Sequence, residues 1–288
     1  MYYKFYNCDC NELLKTIKDE SIDLVVSSPP YCMGKAYEDP KDDLDTFFNI
    51  NSKIIEELYR VVKIGGNICW QVGYHVHGGA VVPLDYIVYN IFMEFSKKQN
   101  VPFILKNRIV WTFGHGLNST KRFSGRHEVV LWFSKGENSL FNLDNVRVPQ
   151  KYPGKKAYKG KNKGKYSCNP LGKNPGDVWD IPNVKAKHVE KTIHPCQFPV
   201  AIPERFIKAL TQPGDVVLDP FSGVGTTGVA AIINNRNYIG SEICKEYYDI
   251  GLERLEQAKN GNIKYRKDMP VKAPDLHSSV AQKPIDFS

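Results

Sequence analysis

The sequence has no hydrophobic run near the roughly 20 residues that span a bilayer, and its first residues lack the pattern of a secretory signal peptide. We therefore expect no membrane segment and a cytoplasmic location. Cysteine is also sparse: there are seven, an odd number, and none forms a C-x-x-C pair. This usage argues against a disulfide framework and against a zinc site, so we expect no bound metal.

What the sequence does contain is typical of a globular protein. The 288 residues suffice for one large domain or two modest ones, and a hydrophobic content of 42% supports a full core. The composition excludes a disordered or fibrous protein.

Positive charge is concentrated in one segment. The net charge is +8, and residues 147–191 hold twelve basic residues against three acidic ones, so the rest of the chain is close to neutral. Such a segment suits a polyanion, because neutralising phosphates releases counterions. The alternative is a solvated, lysine-rich loop that serves solubility.

The remaining sequence alternates between strand and helix patterns on both sides of this segment, which predicts an α/β fold. Strands are predicted over 5–10, 22–27, 67–72, 103–113, 128–134, 215–219 and 237–241. Helices are predicted near 11–17, from 41 to the glycines at 65–66, from Pro83 onward, and over 203–210, 225–234 and 245–259. We divide the chain into one domain formed by 1–136 and 192–262, an irregular basic module at 137–191 and a tail at 263–288. Beyond Asp268 we expect the tail to be poorly ordered or to pack weakly on the surface.

The stretch Ser27-Ser28-Pro29-Pro30-Tyr31 follows the β-branched strand at 22–27. Two successive prolines cannot continue a ladder, so the chain leaves the sheet abruptly at the strand's carboxyl end. That position presents a hydroxyl, two carbonyls and an aromatic ring, where open α/β sheets bind ligands. A stiff loop that only ends the strand is the alternative.

A second motif, Asp219-Pro220-Phe221-Ser222-Gly223-Val224-Gly225-Thr226-Thr227-Gly228, follows a strand and opens a helix. Its glycines have the spacing that lets a backbone approach a ligand at a helix N-terminus. Glu242 ends the next strand, where a carboxylate can accept both hydroxyls of an adenosine ribose. The pattern predicts a nucleoside-containing cofactor and leaves NAD and S-adenosylmethionine open.

Together, the two motifs and the basic module resemble the β group of DNA amino-methyltransferases, in which the catalytic motif precedes the cofactor motif. Ser28-Pro29-Pro30-Tyr31 resembles the catalytic tetrad, and the stretch from Asp219 to Thr227 resembles the cofactor loop. The segment 194–199, HPCQFP, is similar to the one that lines the methionine end of the cofactor, and 126–135 resembles the strand before the target-recognition region.

The resemblance implies a Rossmann-like S-adenosylmethionine-dependent methyltransferase fold, with a mostly parallel sheet and an inserted target-recognition module. It implies a catalytic role for Ser28, Pro29, Pro30 and Tyr31. It assigns cofactor binding to Asp9, His194, Gln197, Phe198, Asp219, Pro220, Phe221, Ser222, Gly223, Gly225, Thr226, Thr227 and Glu242. It assigns DNA contacts to Arg122, Arg126, Lys155, Lys156, Lys159, Lys161, Lys163 and Lys165.

The implied reaction moves a methyl group from S-adenosyl-L-methionine to the exocyclic amine of a base flipped out of double-stranded DNA, as part of a restriction-modification system. Serine first in the tetrad favours cytosine N4, and adenine N6 is the alternative. The implied partners are DNA, a cognate restriction endonuclease and a second copy of the chain. None of the cysteines sits where a nucleophile attacking a ring carbon is expected, which argues against ring-carbon methylation.

Other functions leave part of the pattern unexplained. A nicotinamide-dependent oxidoreductase does not account for the tetrad, and a DNA-binding protein without catalysis accounts only for the lysines. An RNA or protein amine methyltransferase shares the chemistry and stays open. We interpret His75 and His77 as loop residues, His115 and His127 as ordinary polar residues, and Trp70, Trp111 and Trp132 as core.

Overall fold

A computed structural model describes residues 2–31, 43–77, 79–114, 116, 118–150, 155–167 and 169–267. The expectations for His115, for the start of the helix at Lys41 and for the tail beyond Asp268 fall on residues that lie outside these ranges. In the described part of the chain, no helix is both long and apolar enough to cross a membrane.

Strands and helices alternate along the described chain. The strands are β1 Tyr3–Tyr6, β2 Ile22–Ser27, β3 Val62–Val72, β4 Tyr74–His77, β5 Ala80–Pro83, β6 Phe103–Thr112, β7 His127–Lys135, β8 Val178–Asp180, β9 Val216–Asp219 and β10 Asn237–Ser241. The helices are α1 Cys10–Thr16, α2 Leu44–Val61, α3 Leu84–Ser96, α4 Ala201–Leu210, α5 Thr226–Ile233 and α6 Lys245–Lys259, with a short 3-10 helix at Leu143–Val146.

Within the described residues, eight strands form one sheet in the order β1-β10-β9-β2-β3-β7-β6-β8. All pairings are parallel except those of β7, which runs antiparallel to β3 and β6. β4 and β5 form a separate antiparallel hairpin. The predicted α/β fold with a mostly parallel sheet is confirmed.

The sheet is covered on both faces, which explains why its central strands read as continuous apolar runs. Along β2, Leu24 and Val26 pack among residues of α4 to α6, whereas Val25 packs with residues of α1 to α3. Successive side chains point to opposite faces, so a strand between two helical layers needs apolar residues at every position. The result is a three-layer fold with one core on each face.

The three strand tryptophans are core residues, as predicted. Trp70 is fully buried, and its indole N–H donates to Asn51 Oδ1 at 2.9 Å. Trp132 donates to Asn67 Oδ1 at 2.8 Å, inside the same sheet. Each buried indole therefore has its polar atom satisfied.

The predicted strand over 5–10 is wrong in its second half. β1 ends at Tyr6, and Cys10 already begins α1. The cause is local: Asp9 caps α1, its Oδ1 accepting from the backbone N–H of Asn11 at 2.8 Å. The loop interpretation of His75 and His77 is also wrong, because both lie in β4.

The basic segment contributes to the main sheet at its end. β8 pairs with β6, and Trp179 is buried against Phe206 of α4 with ring centroids 4.8 Å apart. The Trp111 indole donates to the carbonyl of Ile181 at 2.6 Å. The boundary of a recognition module at residue 191 stays a prediction.

Candidate active site

A cavity of about 420 Å³ opens at the carboxyl edge of the parallel strands. Its size is within the range of cofactor and substrate sites. The structure brings together most of the predicted catalytic and cofactor residues in its wall: Asp9, Ser28, Pro29, Pro30, Tyr31, His194, Gln197, Phe198, Pro220, Phe221, Ser222, Gly223, Thr226 and Glu242. Two motifs about 190 residues apart in sequence thus share one site, because β2 and β9 are neighbours in the sheet.

Three residues predicted to bind cofactor, Asp219, Gly225 and Thr227, are absent from the residues that line the cavity. Asp219 is fully buried; its Oδ1 accepts from the Ser27 hydroxyl at 2.5 Å and from the Phe221 N–H at 3.1 Å. Burial raises the pKa of Asp219 to about 6. Thr227 Oγ1 donates to the carbonyl of Val26 at 3.3 Å. Asp219 and Thr227 tie the glycine loop to the end of β2.

The tyrosine of the tetrad is fixed by residues from two further strands. Its hydroxyl accepts from Gln71 Nε2 at 3.1 Å, and the same amide hydrogen-bonds Glu128. A Cβ on Gly73 would lie 3.1 Å from the Tyr31 ring, so the absence of a side chain there lets the ring approach. These contacts therefore fix the Tyr31 ring in place as part of the cavity wall.

The end of the cavity beside the glycine loop carries a carboxylate whose two oxygens accept from backbone N–H groups. Glu242 Oε2 accepts from the N–H of Gly223 at 2.8 Å, and Oε1 accepts from the N–H of Cys244 at 2.9 Å. Burial raises the pKa of Glu242. Asn7 Nδ2 donates to the carbonyls of Glu242 and Ile243, which binds the end of β10 to the end of β1. Each carboxylate oxygen has two lone pairs, so it retains capacity for ligand hydroxyls.

The imidazole of His194 lies against the glycine loop. A Cβ on Gly223 would come within 3.2 Å of His194 Nε2, and the His194 ring packs edge-on against Tyr247 with centroids 4.6 Å apart. Burial, with smaller contributions from Lys191 and Arg254, lowers the pKa of His194 to about 4. The ring is therefore neutral at neutral pH.

The side chain of Gln197 is used within its own segment. Its amide donates to the carbonyl of Glu190 at 2.8 Å and accepts from Thr192 Oγ1 at 2.9 Å. Gln197 thus shapes the stretch that carries His194 and Phe198 along the cavity wall.

The predicted DNA-contacting residues are not among those that line the cavity. The six lysines are exposed. They belong to a small hairpin in which the N–H of Ala157 donates to the carbonyl of Lys165 at 2.9 Å. Arg122 is exposed, and Arg126 Nη2 donates to Asn118 Oδ1 at 2.7 Å. Among the described residues, no cluster of three or more His, Cys, Asp or Glu side chains is arranged to hold a metal ion.

Comparison with known proteins agrees with this geometry. The family model of DNA methylases that modify N6 or N4 matches residues 22–253. The chain belongs to this DNA methylase family. The chain is 46% identical over 263 residues to the type II methyltransferase M.BglII of Bacillus subtilis, covering 90% of this chain and 71% of that protein. It is 33% identical over 292 residues to the DNA adenine methyltransferase YhdJ of Escherichia coli K12, covering 91% and 90%.

Solved structures of the same fold include the cytosine-N4-specific PvuII DNA methyltransferase, with a TM-score of 0.69, 22% identity and coverage of 93% of this chain and 94% of that one. Another is a DNA modification methylase of Thermus thermophilus in complex with S-adenosyl-L-methionine, with a TM-score of 0.63, 23% identity and coverage of 91% and 97%. The predicted family, fold and cofactor class are confirmed.

Sequence reasoning missed several residues of this methylase's cavity wall, among them Gln71, Phe113, Glu128 and Asn183. Gln71 is the second-last residue of β3, and Phe113 follows the end of β6. Glu128 lies at the start of β7, which is antiparallel and so begins where its neighbours end. The rule of strand ends identifies all of these once the direction of β7 is known. Asn183 Oδ1 is buried without a hydrogen-bond partner among the described residues, so the wall holds an acceptor that a ligand N–H can satisfy.

Proposed function

We propose that this DNA methylase transfers a methyl group from S-adenosyl-L-methionine to the N4 amine of a cytosine that is flipped out of duplex DNA. The observation that carries the proposal is the shared cavity: Ser28 to Tyr31 and the glycine loop with Glu242 line one space of about 420 Å³. A donor held at the loop and an amine held at the tetrad would then be close neighbours in one space.

The cofactor, when bound, supplies a methyl group on a positively charged sulfonium. Glu242, held by the N–H groups of Gly223 and Cys244, accepts the ribose hydroxyls. His194 faces the methionine end as a neutral ring, because burial lowers its pKa to about 4. A neutral imidazole avoids the repulsion that a protonated one exerts on the sulfonium. Gly223 provides the space for that ring.

The tetrad activates the amine. Its lone pair is delocalised into the base, which makes the nitrogen a poor nucleophile. The Ser28 hydroxyl and the Pro29 carbonyl each accept one N–H, which favours a pyramidal nitrogen whose lone pair points at the methyl group. Pro30 fixes the turn, and Tyr31, anchored through Gln71, stacks on the base. With the cofactor bound, the amine lone pair would form the N–C bond, the S–C electron pair would stay on sulfur, and one amine proton would pass to solvent water.

Cytosine is proposed because Ser28 stands first in the tetrad. A second candidate is adenine N6, favoured by the 33% identity to the DNA adenine methyltransferase YhdJ. Both amines offer two N–H groups to the same acceptors, so the tetrad's chemistry accommodates either base.

We further propose that the basic module at 137–191 binds the duplex around the flipped base, with Arg122 and Arg126 on neighbouring phosphates. The name type II methyltransferase, borne by M.BglII, supports a role in protecting a site from a partner endonuclease in the cytoplasm. A homodimer is part of this proposal, and sedimentation at several protein concentrations tests it.

Transfer of tritiated methyl groups to duplex DNA, RNA and protein acceptors tests the proposed function. We expect label in duplex DNA alone and, after digestion to nucleosides, in N4-methylcytosine. Label in N6-methyladenine would show that the methylated base is adenine rather than cytosine. Label in RNA or protein would show that the acceptor is not DNA. An oxidoreductase or a DNA-binding protein without catalysis would transfer no label to any acceptor.

A further inference from the structure

The side chain of Phe123 is fully exposed, with a relative accessibility of 101%. A single exposed apolar residue is common on protein surfaces. Phe123, however, stands directly after two cations, Lys121 and Arg122, in the loop between β6 and β7. An apolar ring flanked by positive charge is suited to a partner that offers both phosphates and an apolar stacked interior.

This loop rises from the rim of the catalytic cavity. The N–H of Phe113 donates to the carbonyl of Arg126 at 3.0 Å, which closes the base of the loop. Phe113 and Glu128, on its two sides, both line the cavity. Phe123 is five residues from Glu128, so its Cα lies within about 18 Å of the cavity wall.

Contacts inside the loop hold its tip outward. The N–H of Ser119 donates to Ser124 Oγ at 3.0 Å, which closes a short turn around Phe123. The backbone of Gly125 lies close to the side chain of Tyr74, because a Cβ on Gly125 would be only 1.1 Å from the Tyr74 hydroxyl oxygen. The loop is therefore seated on the hairpin of β4 and β5 while Phe123 faces solvent.

We propose that Phe123 inserts into the DNA duplex at the position that the flipped base leaves, while Lys121 and Arg122 contact the adjacent phosphates. The proposal rests on the proposed function, because only an extruded base leaves such a gap. Extrusion exposes the stacked faces of the neighbouring bases, and an apolar wedge covers them again. Phe123 would thus be a positioning residue that stabilises the extruded state without touching the reacting atoms.

Single-turnover methylation by Phe123→Ala tests the wedge on two duplexes that carry the site methylated by the wild type. In one, the target base is paired; in the other, its partner is an abasic residue, which lowers the cost of extrusion. We expect a rate about tenfold below wild type on the paired duplex, the size of one lost base-aromatic stack, and near-wild-type rates on the abasic-partner duplex. Phe123→Trp should retain the wild-type rate on both.

Tyr2→Ala is the matched control, because Tyr2 is an exposed aromatic residue just before β1, at the opposite edge of the sheet. It should leave both rates unchanged. Cofactor affinity, measured by calorimetry, should be equal for wild type and Phe123→Ala and so verify folding. Equal losses on both duplexes, or no loss on either, would overturn the wedge. A wild-type protein that transfers no label to DNA would instead refute the proposed function.

A second set of measurements distinguishes insertion of Phe123 into the duplex from electrostatic attraction of the loop to the phosphates. With a fluorescent base analogue in place of the target base, wild type should raise the fluorescence by extruding it, and Phe123→Ala should raise it less. The slope of DNA affinity against salt should be unchanged in Phe123→Ala, since phenylalanine releases no counterions, and should fall by about one in Arg122→Ala. A loss of self-association in Phe123→Ala with unchanged fluorescence would assign the ring to a contact between copies and overturn the proposal.

Discussion

The hydroxyl of Ser27 donates to Asp219 Oδ1 at 2.5 Å, and both residues are fully buried. Ser27 ends β2 just before the tetrad, and Asp219 ends β9 at the start of the glycine loop. One hydrogen bond thus joins the two motifs beneath the cavity. The sheet already pairs β2 with β9, so this bond mainly fixes the positions of the two following loops relative to each other.

Ser27→Ala should therefore lower turnover by about tenfold, because small errors in the alignment of two reactants cost much rate. It should also lower the free energy of unfolding by about 1 to 3 kcal/mol, since Asp219 loses a donor. Ser134→Ala is the control: Ser134 is as buried and donates to the carbonyl of Gly136 at 2.7 Å, at the far edge of the sheet. Urea unfolding and steady-state kinetics should show similar destabilisation but normal turnover in the control. Equal turnover in Ser27→Ala and Ser134→Ala would refute the idea that the Ser27–Asp219 bond aligns the two loops.

Glu242→Ala should raise the dissociation constant of S-adenosyl-L-methionine by about tenfold or more, the effect of losing one charge-assisted hydrogen bond. Two backbone N–H groups already orient the Glu242 carboxylate, so cofactor binding costs little side-chain conformational entropy. Calorimetric titration measures the constant. Glu246→Ala, which removes an exposed acid from the first turn of α6, serves as the control and should bind normally. Unchanged affinity in Glu242→Ala would reject the ribose assignment.

Ser28→Ala and Tyr31→Ala should lose turnover while cofactor binding survives, because the proposed function assigns both residues to the base. Loss of one acceptor for the amine, or of one stacking ring, corresponds to about 1 to 3 kcal/mol, or roughly tenfold to a hundredfold in rate. Tyr31→Phe keeps the ring and removes the hydroxyl that accepts from Gln71, so it should retain most activity. Single-turnover rates and cofactor titrations decide the matter. Equal loss of cofactor affinity would contradict the division of roles.

The fold and the places of both motifs could be predicted from the sequence, because each depends on the pattern of residues close together in the chain. The Pro29-Pro30 turn, the glycine loop and the apolar strands are recognisable without tertiary information. What it missed depends on strand direction and on distant partners. Glu128 entered the site only because β7 is antiparallel, and Asp219 turned inward because Ser27, 192 residues away, offers a donor. The second half of the predicted strand at 5–10 was wrong because the cap formed by Asp9 starts α1 at Cys10.

His194 should make stability depend on pH. Its folded pKa of about 4 lies below the unfolded value near 6.5, so the unfolded chain binds the extra proton between these values. Stability is therefore lost as pH falls through that window. From pH 7 to pH 5, the stability of wild type relative to His194→Asn should fall by about 2 kcal/mol. Urea unfolding at both pH values measures this, and the raised pKa of Asp219 and Glu242 affects both proteins alike. A pH-independent difference would contradict a buried, neutral ring.

The exposed lysines should determine the salt dependence of DNA binding. If Lys161, Lys163 and Lys165 each neutralise a phosphate, replacing all three by alanine should reduce the slope of log affinity against log salt by up to about 2.7. The matched control is the triple alanine variant at Lys15, Lys18 and Lys98, which removes equal charge from exposed positions near the ends of α1 and α3. These helices end at the edge of the sheet away from the cavity, so that variant should keep the wild-type slope. Fluorescence anisotropy across a salt series distinguishes them: a shared decrease would indicate a general charge effect, whereas a decrease confined to the first variant locates the DNA on the basic hairpin.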